Sequence, residues 1–152
     1  MLDDIDMKII NLLQKNARLP NAEIARFIGM APSATLERLR KLEEQGYITG
    51  YEARVNPSRV GLGLLAFVFV KATGPDDCGE QLARIPEVQE VHNIAGEDCY
   101  IVKVRTKGTE ELAKVLREKF RTIPSIISTK TTVVLTTIKE SGRLPLPDFD
   151  GE

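Results

Sequence analysis

The 152-residue sequence contains no tryptophan, one histidine and two cysteines. Cys78 and Cys99 form no CxxC pair, so the sequence predicts neither a disulfide framework nor a metal site. No apolar run approaches the roughly 18 residues that span a bilayer, and the chain opens without a basic flank and apolar leader. We therefore expect a cytoplasmic protein with no membrane segment and no bound cofactor.

Excess charge of one sign is also absent. The formal net charge is -1, and residues 1–60 carry nine Lys and Arg against eight Asp and Glu. Proteins that coat nucleic acid through general charge carry a larger basic excess. If the first sixty residues bind DNA, one copy neutralises few phosphates, and several copies must act together. The charge balance thus predicts an oligomer.

Residues 21–45 read as two short helices joined by a tight turn. Asn21 is a residue type that caps a helix, and we expect its side chain to accept an amide of the first turn. Gly29 ends this helix, because glycine adopts the left-handed conformation at low cost. Pro32 suits the first turn of the next helix, where a missing amide costs nothing.

The second of these helices, expected over 32–45, combines a leucine stripe with a polar surface. Leu36, Leu39 and Leu42 recur at three-residue spacing, and we expect them to pack inward. Such a helix can enter the major groove of double-stranded DNA with small residues near base edges and cations near phosphates. A helical hairpin without DNA binding fits the same pattern. The candidate DNA-binding residues are Ser33, Ala34, Thr35, Glu37, Arg38, Arg40 and Lys41.

The rest of the chain predicts a mixed α+β fold. Residues 2–14 form an amphipathic helix, and residues 47–55 alternate as a strand before the turn at 56–58. A strand, helix, strand pattern then occurs twice, which predicts a ferredoxin-like βαββαβ sheet with both helices on one side. Its strands are expected at 64–73, 88–94, 99–106 and 126–138, and its helices at 75–85 and 109–121.

These elements divide the chain into two domains. We expect a three-helix, winged-helix-like helix-turn-helix domain at 1–50, a hinge strand and linker at 51–60, a ferredoxin-like domain at 61–138 and a flexible tail at 139–152. The strand at 64–70 is apolar at nearly every position, although helices cover only one face of the sheet. The other face is most simply covered by the sheet of a second copy.

The glycines at 61 and 63 match GxGxx[GA], the fingerprint of dinucleotide-binding loops. That mechanism places the glycines at the start of a helix whose amides hold the pyrophosphate. Here an aromatic and β-branched run follows, which reads as a strand. The motif therefore does not predict a dinucleotide cofactor.

Several strings, in order along nearly the whole chain, resemble the Lrp/AsnC family of leucine- and asparagine-responsive regulators. They are LDDIDMKIINLLQKNAR at 2–18, the helix pair with LEEQGYITGYEARVNP at 42–57, and VHNIAGEDCYIVKV at 91–104. The resemblance implies that the helix at 32–45 is a DNA recognition helix and that strand 47–55 pairs with its copy in a dimer. It also implies assembly of dimers into tetramers or octamers and a ferredoxin-like domain that senses a small effector, usually an amino acid.

The family's effector loop is a glycine-acidic turn, and Gly96, Glu97 and Asp98 occupy it here. A turn carboxylate can bind an amino acid's ammonium group, although the same residues suit a plain hairpin turn. Two positions depart from the family: Ala31 stands where members commonly have a capping serine, and Cys99 stands where many have an aspartate. The departures predict a weaker cap on the recognition helix and leave the ligand class open.

Two other functions compete with this reading. Sirohaem decarboxylases share the architecture but would need cofactor-handling residues after His92, which is followed by Asn-Ile-Ala-Gly-Glu-Asp. No nucleophile, paired-acid or phosphate-loop motif supports catalysis. A ligand-sensing oligomerisation module without DNA binding would suit the weak positive charge and Ala31, whereas the cations Arg38, Arg40 and Lys41 oppose it.

Overall fold

The computed structural model describes residues 1–74 and 78–147. The chain divides into two compact units: Met1–Arg54 together with the segment from Lys139, and Val55–Ile138. Within the described residues, no helix combines the length and apolarity that a membrane crossing requires.

The N-terminal unit contains the three predicted helices: α1 (Asp4–Lys15), α2 (Asn21–Ile28) and α3 (Pro32–Glu44). Their apolar stripes meet in a core formed by Ile9, Leu13, Ile24 and Leu42. The acidic start of α1 forms a reciprocal capping box, in which the Asp6 amide donates to the Asp3 carboxylate at 2.8 Å.

Helix α2 ends as predicted, but the cap at its start differs from the prediction. Gly29 has φ +70° and ends α2 in the left-handed conformation. Asn21 does not cap α2, because the helix begins one residue earlier than the cap prediction requires and Pro20 is its N-cap. The Asn21 side-chain amide instead donates to the Pro32 carbonyl at 2.9 Å, which joins the starts of the two helices.

The strand that the sequence predicts over residues 47–55 is not formed in the structure of the single chain. No strand is assigned between α3 and residue 58, since this segment has no partner strand among the residues that the structure describes. Tyr47, Tyr51 and Val55, which belong to the alternating set, are all exposed. The segment is anchored at Tyr51, whose hydroxyl donates to Glu43 at 2.9 Å, and burial with this contact raises the Tyr51 pKa to about 12.

The second unit has the predicted ferredoxin-like topology, with the antiparallel strand order β2-β3-β1-β4. A single 3₁₀ turn at Ser58–Val60 and the glycines at 61 and 63 lead into β1, a strand rather than a helix. The last strand ends at Val133 rather than at residue 138. Residues 75–77 of the predicted first helix lie outside the described residues. The elements are β1 (Leu64–Ala72), α4 (Cys78–Ala83), β2 (Val88–Asn93), β3 (Tyr100–Thr106), α5 (Thr109–Val115, continued by a π turn at Leu116–Phe120) and β4 (Ile126–Val133).

The two faces of the sheet differ in their environment. Val68, Val70, Val102 and Val104 are fully buried in one core with side chains of both helices. Alternation along the strands puts a second apolar group on the opposite face. This open face carries Leu65, Phe67 and Phe69 from β1 and Ile101 from β3.

The C-terminal segment was expected to be loosely held, yet it is hydrogen-bonded to α1. The Leu144 amide donates to the Gln14 side-chain oxygen at 2.6 Å, and the Gln14 amide donates back to the Leu144 carbonyl at 3.2 Å. Asn11 donates to the Pro147 carbonyl at 2.8 Å. Two polar side chains one turn apart on α1 thus hold the main chain of the tail.

Candidate nucleic-acid interface and hairpin loop

Two buried side chains fix the rotation of α3 about its own axis. Thr35 has 0% exposure, and its hydroxyl donates to the Ala31 carbonyl at 3.0 Å. Leu42, two turns later, is also buried. Thr35 therefore belongs to the inner face of α3, because a threonine that bonds its own helix can fill an inner position. Its predicted contact with DNA stays a prediction, and the structure places it away from the exposed side of the helix.

Arg38 also faces inward, towards the start of α1. Its Nη1 lies 2.7 Å from Asp3 Oδ2 and 3.1 Å from Asp6 Oδ1. The hydrogen bond from Arg38 is the main reason that the pKa of Asp3 is lowered, and the same contact raises the pKa of Arg38. The predicted DNA-binding role of Arg38 stays a prediction, and in this conformation the guanidinium joins α3 to α1.

The remaining predicted residues form an outer ridge on α3. Ser33, Glu37, Arg40 and Lys41 are exposed on this ridge, and Ala34 is half-buried beside it. Arg40 Nη1 lies 3.8 Å from Glu37 Oε2, one turn away along the helix, and both side chains are 57% exposed.

The predicted inward position of Leu36 in the leucine stripe is wrong. It is 45% exposed, although its spacing from Leu39 and Leu42 predicted an inward position. The true inner set starts one residue earlier, at Thr35, and one residue is a rotation of about 100° around a helix.

The start of α3 is uncapped. Ala31 is the N-cap residue and makes no side-chain hydrogen bond, as its departure from the family pattern predicted. Because Pro32 has no amide hydrogen, the free donors of the first turn begin at Ser33. The outer ridge and this helix start present hydroxyl, carboxylate and cationic groups on one side, a mixture that suits base edges and phosphates.

The predicted effector residues lie in the hairpin between β2 and β3. The Ile94 amide donates to the Cys99 carbonyl at 2.9 Å and closes the loop. Gly96 and Glu97 are exposed at its tip, and a Cβ on Gly96 would meet no atom within 4 Å. The glycine is therefore not required by packing within one chain.

Asp98 differs from its neighbours in the loop because its side chain is only 14% exposed. Lys130 of β4 reaches it, with Nζ 3.7 Å from Asp98 Oδ2. This distance is beyond a normal hydrogen bond, so the pair is held by charge attraction alone. Cys99 is tied to β1, since its amide donates to the Val70 carbonyl at 2.9 Å.

A helix-turn-helix unit followed by a ferredoxin-like unit with an acidic hairpin defines a class of two-domain DNA-binding regulators. Profile comparison agrees for both halves. Residues 2–49 match a "Winged helix-turn-helix DNA-binding" family, and residues 65–144 match the "Lrp/AsnC ligand binding domain". The chain belongs to the Lrp/AsnC family of transcriptional regulators.

Individual relatives match this chain over nine-tenths or more of their own length. The HTH-type transcriptional regulator FL11 of Pyrococcus horikoshii is 40% identical over 95% of this chain and 97% of its own. The leucine-responsive regulatory protein of Escherichia coli is 38% identical over 94% of this chain and 90% of its own. The feast or famine regulatory protein of M. tuberculosis, solved with L-methionine, has a TM-score of 0.90 at 35% identity and covers 97% of this chain and 100% of its own.

Sequence reasoning missed two contributors to these surfaces. Lys130 lies 32 residues after Asp98 in the chain, and only the strand pairing brings them together. The contact of Arg38 with α1 carried a signal, because the acidic residues Asp3 and Asp6 cluster at a helix start and invite a cation.

We predict that Arg38→Ala lowers the thermal unfolding midpoint by several degrees, because it leaves Asp3 and Asp6 without their cation and frees α3 from α1. Arg40→Ala is the matched control, since it removes only an exposed pair of small energetic value. Differential scanning calorimetry at pH 7 measures both. Equal midpoints for the two variants would contradict the inward role of Arg38.

The pH dependence gives an independent check of the same contact. A carboxylate whose folded pKa is lowered adds stability above its unfolded pKa, about 4 for aspartate, and loses it as the pH falls through the folded pKa. The difference in midpoint between wild type and Arg38→Ala should therefore be full at pH 7 and shrink below about pH 4. Glu87 and Glu90 also have lowered pKa values, through Lys119 and His92, but these contacts are present in both proteins and cancel.

Proposed function

We propose that the outer ridge of α3, formed by Ser33, Glu37, Arg40 and Lys41 beside Ala34, is the surface through which this regulator reads double-stranded DNA. The observation that carries the proposal is the separation of faces on α3. Thr35, Arg38 and Leu42 hold the helix to its own unit, while the ridge stays open. A helix presented in this way can lie in the major groove.

The charges on the ridge set the form of binding. Arg40 and Lys41 are the cations of the ridge, and Arg40 already lies near Glu37. One ridge therefore contacts few phosphates, and its affinity and salt dependence stay modest. Two or more copies on one duplex give the chain useful affinity through their combined contacts.

We predict that Arg40→Ala with Lys41→Ala weakens binding to a duplex selected by the wild-type protein from a random pool at least tenfold. The salt dependence should also become shallower, because fewer counterions are released. Fluorescence anisotropy at several salt concentrations measures both effects.

The control for this test is Arg84→Ala with Lys114→Ala. It removes two exposed cations from the other unit and should leave DNA affinity unchanged. Equal loss in both double variants would reduce the effect to net charge, and no loss in either would contradict the ridge as the DNA surface.

We propose that a second copy covers the open face of the sheet. Phe67 and Phe69 are half-buried there, beside the buried Leu65 and the half-buried Ile101, and no helix among the described residues packs its core side chains against this face. Burial of such a face is favourable in proportion to the apolar area removed from water. The exposed, alternating segment 47–55 is available to pair with its copy, and the resulting dimers can assemble further into tetramers or octamers.

We predict that Phe69→Lys dissociates the assembly, because a charge replaces an aromatic ring at the centre of the covered face. Sedimentation equilibrium should give the wild type at least twice the 16.9 kDa of one chain and the variant nearer to one chain. Leu135→Lys, at a fully exposed position outside the sheet, is the control and should keep the wild-type mass. A monomeric wild type, or a folded Phe69→Lys protein of unchanged mass, would contradict the proposal.

We propose that the hairpin loop of Gly96, Glu97 and Asp98 binds a small amino-acid effector. The half-buried Asp98 carboxylate accepts a hydrogen bond from the α-ammonium group of the amino acid. The open space at Gly96 lets the ligand approach the main chain. The M. tuberculosis relative bound to L-methionine supports an amino acid as the ligand class. The bound effector shifts how dimers assemble or how tightly they hold DNA.

We predict that at least one of the twenty amino acids raises the thermal midpoint of the wild type and changes its affinity for the selected duplex. Asp98→Asn should lower the affinity for that amino acid about 10- to 100-fold, since the substitution removes a charge-assisted hydrogen bond. Glu118→Gln, an exposed change on the helix side, should bind it normally. If no amino acid changes the thermal midpoint or the DNA affinity, the effector proposal fails, whereas the proposal that the ridge binds DNA still stands.

We propose that the protein acts by binding rather than by catalysis, in the cytoplasm where its DNA lies. The relatives FL11 and the leucine-responsive regulatory protein are named as regulators. His92, the residue that a decarboxylase reading would use, lies on an exposed strand position 3.0 Å from Glu90. Its ring nitrogen makes a surface contact with a neighbouring side chain there.

A further inference from the structure

Leu36 is an exposed apolar side chain of α3 that lies beside the outer ridge. It is 45% exposed and lies three residues after Ser33 and four before Arg40, so the three side chains share one side of the helix. The inner position beside it belongs to Thr35, which is fully buried. The helix thus places a threonine inside and leaves a leucine in water.

An exposed leucine alone is common and carries no meaning. Leu36, however, lies in the N-terminal half of α3, which is the part of a recognition helix that meets base edges. Its neighbours on the ridge, Ser33, Glu37 and Arg40, are all polar or charged. The ridge therefore offers hydrogen-bonding groups on both sides of one apolar contact.

The major groove contains one apolar group that matches this pattern. Thymine carries a C5 methyl there, whereas cytosine has a hydrogen at that position and the purines carry no methyl group. We propose that Leu36 is a specificity-determining residue that packs against the C5 methyl of a thymine in each half-site. The inference rests on the DNA binding proposed above and names the base that this position selects.

Replacement of thymine by deoxyuridine tests the contact directly, because it removes the methyl and keeps every hydrogen bond. Each thymine of the selected duplex is replaced singly, and the affinity of the full-length protein is measured by fluorescence anisotropy. One position in each half-site should weaken wild-type binding about three- to tenfold. Leu36→Ala should bind the thymine and deoxyuridine duplexes equally at that position.

Two further variants make the test specific. Leu62→Ala removes another partly exposed leucine, outside α3, and should keep the wild-type response to deoxyuridine. Leu36→Gln replaces the apolar contact with an amide, and a repeated selection from the random pool should lose thymine at the same position. Far-UV circular dichroism confirms that each variant is folded.

The outcomes separate this inference from the function on which it rests. A wild-type protein that selects no sequence would overturn both. A wild type that selects a duplex but responds to no deoxyuridine, or a Leu36→Ala protein that keeps the response, would overturn the role of Leu36 alone. A changed sedimentation mass for Leu36→Ala would assign the side chain to a contact between copies and would also overturn it.

Discussion

The rotation of α3 about its own axis determines which side chains this protein can offer to DNA. Three contacts set it: the burial of Thr35, the burial of Leu42 and the ion pair of Arg38 with the acidic start of α1. A rotation of one residue would bury Leu36 and move Arg38 outward. The orientation of the proposed DNA ridge therefore depends on α1, although α1 itself contributes no residue to the ridge.

The same helix, α1, joins three parts of the N-terminal unit. Its apolar stripe supplies Ile9 and Leu13 to the core, its first turn holds Arg38, and its polar side chains Asn11 and Gln14 hold the tail that follows the sheet. The chain enters the second unit after Arg54 and leaves it before Lys139. Both covalent connections of the ferredoxin-like unit thus run to the unit that carries the proposed DNA ridge.

Periodicity and turn chemistry predicted the helices and the ferredoxin-like sheet, because each depends on local spacing or on one burial pattern. The phase of α3 was beyond that reasoning: Leu36 and Thr35 differ by one position, and only the packed neighbours decide which is buried. Strand 47–55 was read from alternation, but a strand needs a partner that one chain does not supply. Lys130 joined Asp98 only through the pairing of distant strands.

The most direct measurement is the structure of the full-length protein bound to its selected duplex. The account predicts that Arg40 and Ser33 lie within hydrogen-bond distance, about 3.2 Å, of phosphate or base atoms. It also predicts that Arg38 keeps its contacts with Asp3 and Asp6. A complex in which Arg38 has left these carboxylates and lies in the groove, with the ridge turned away from the DNA, would contradict it.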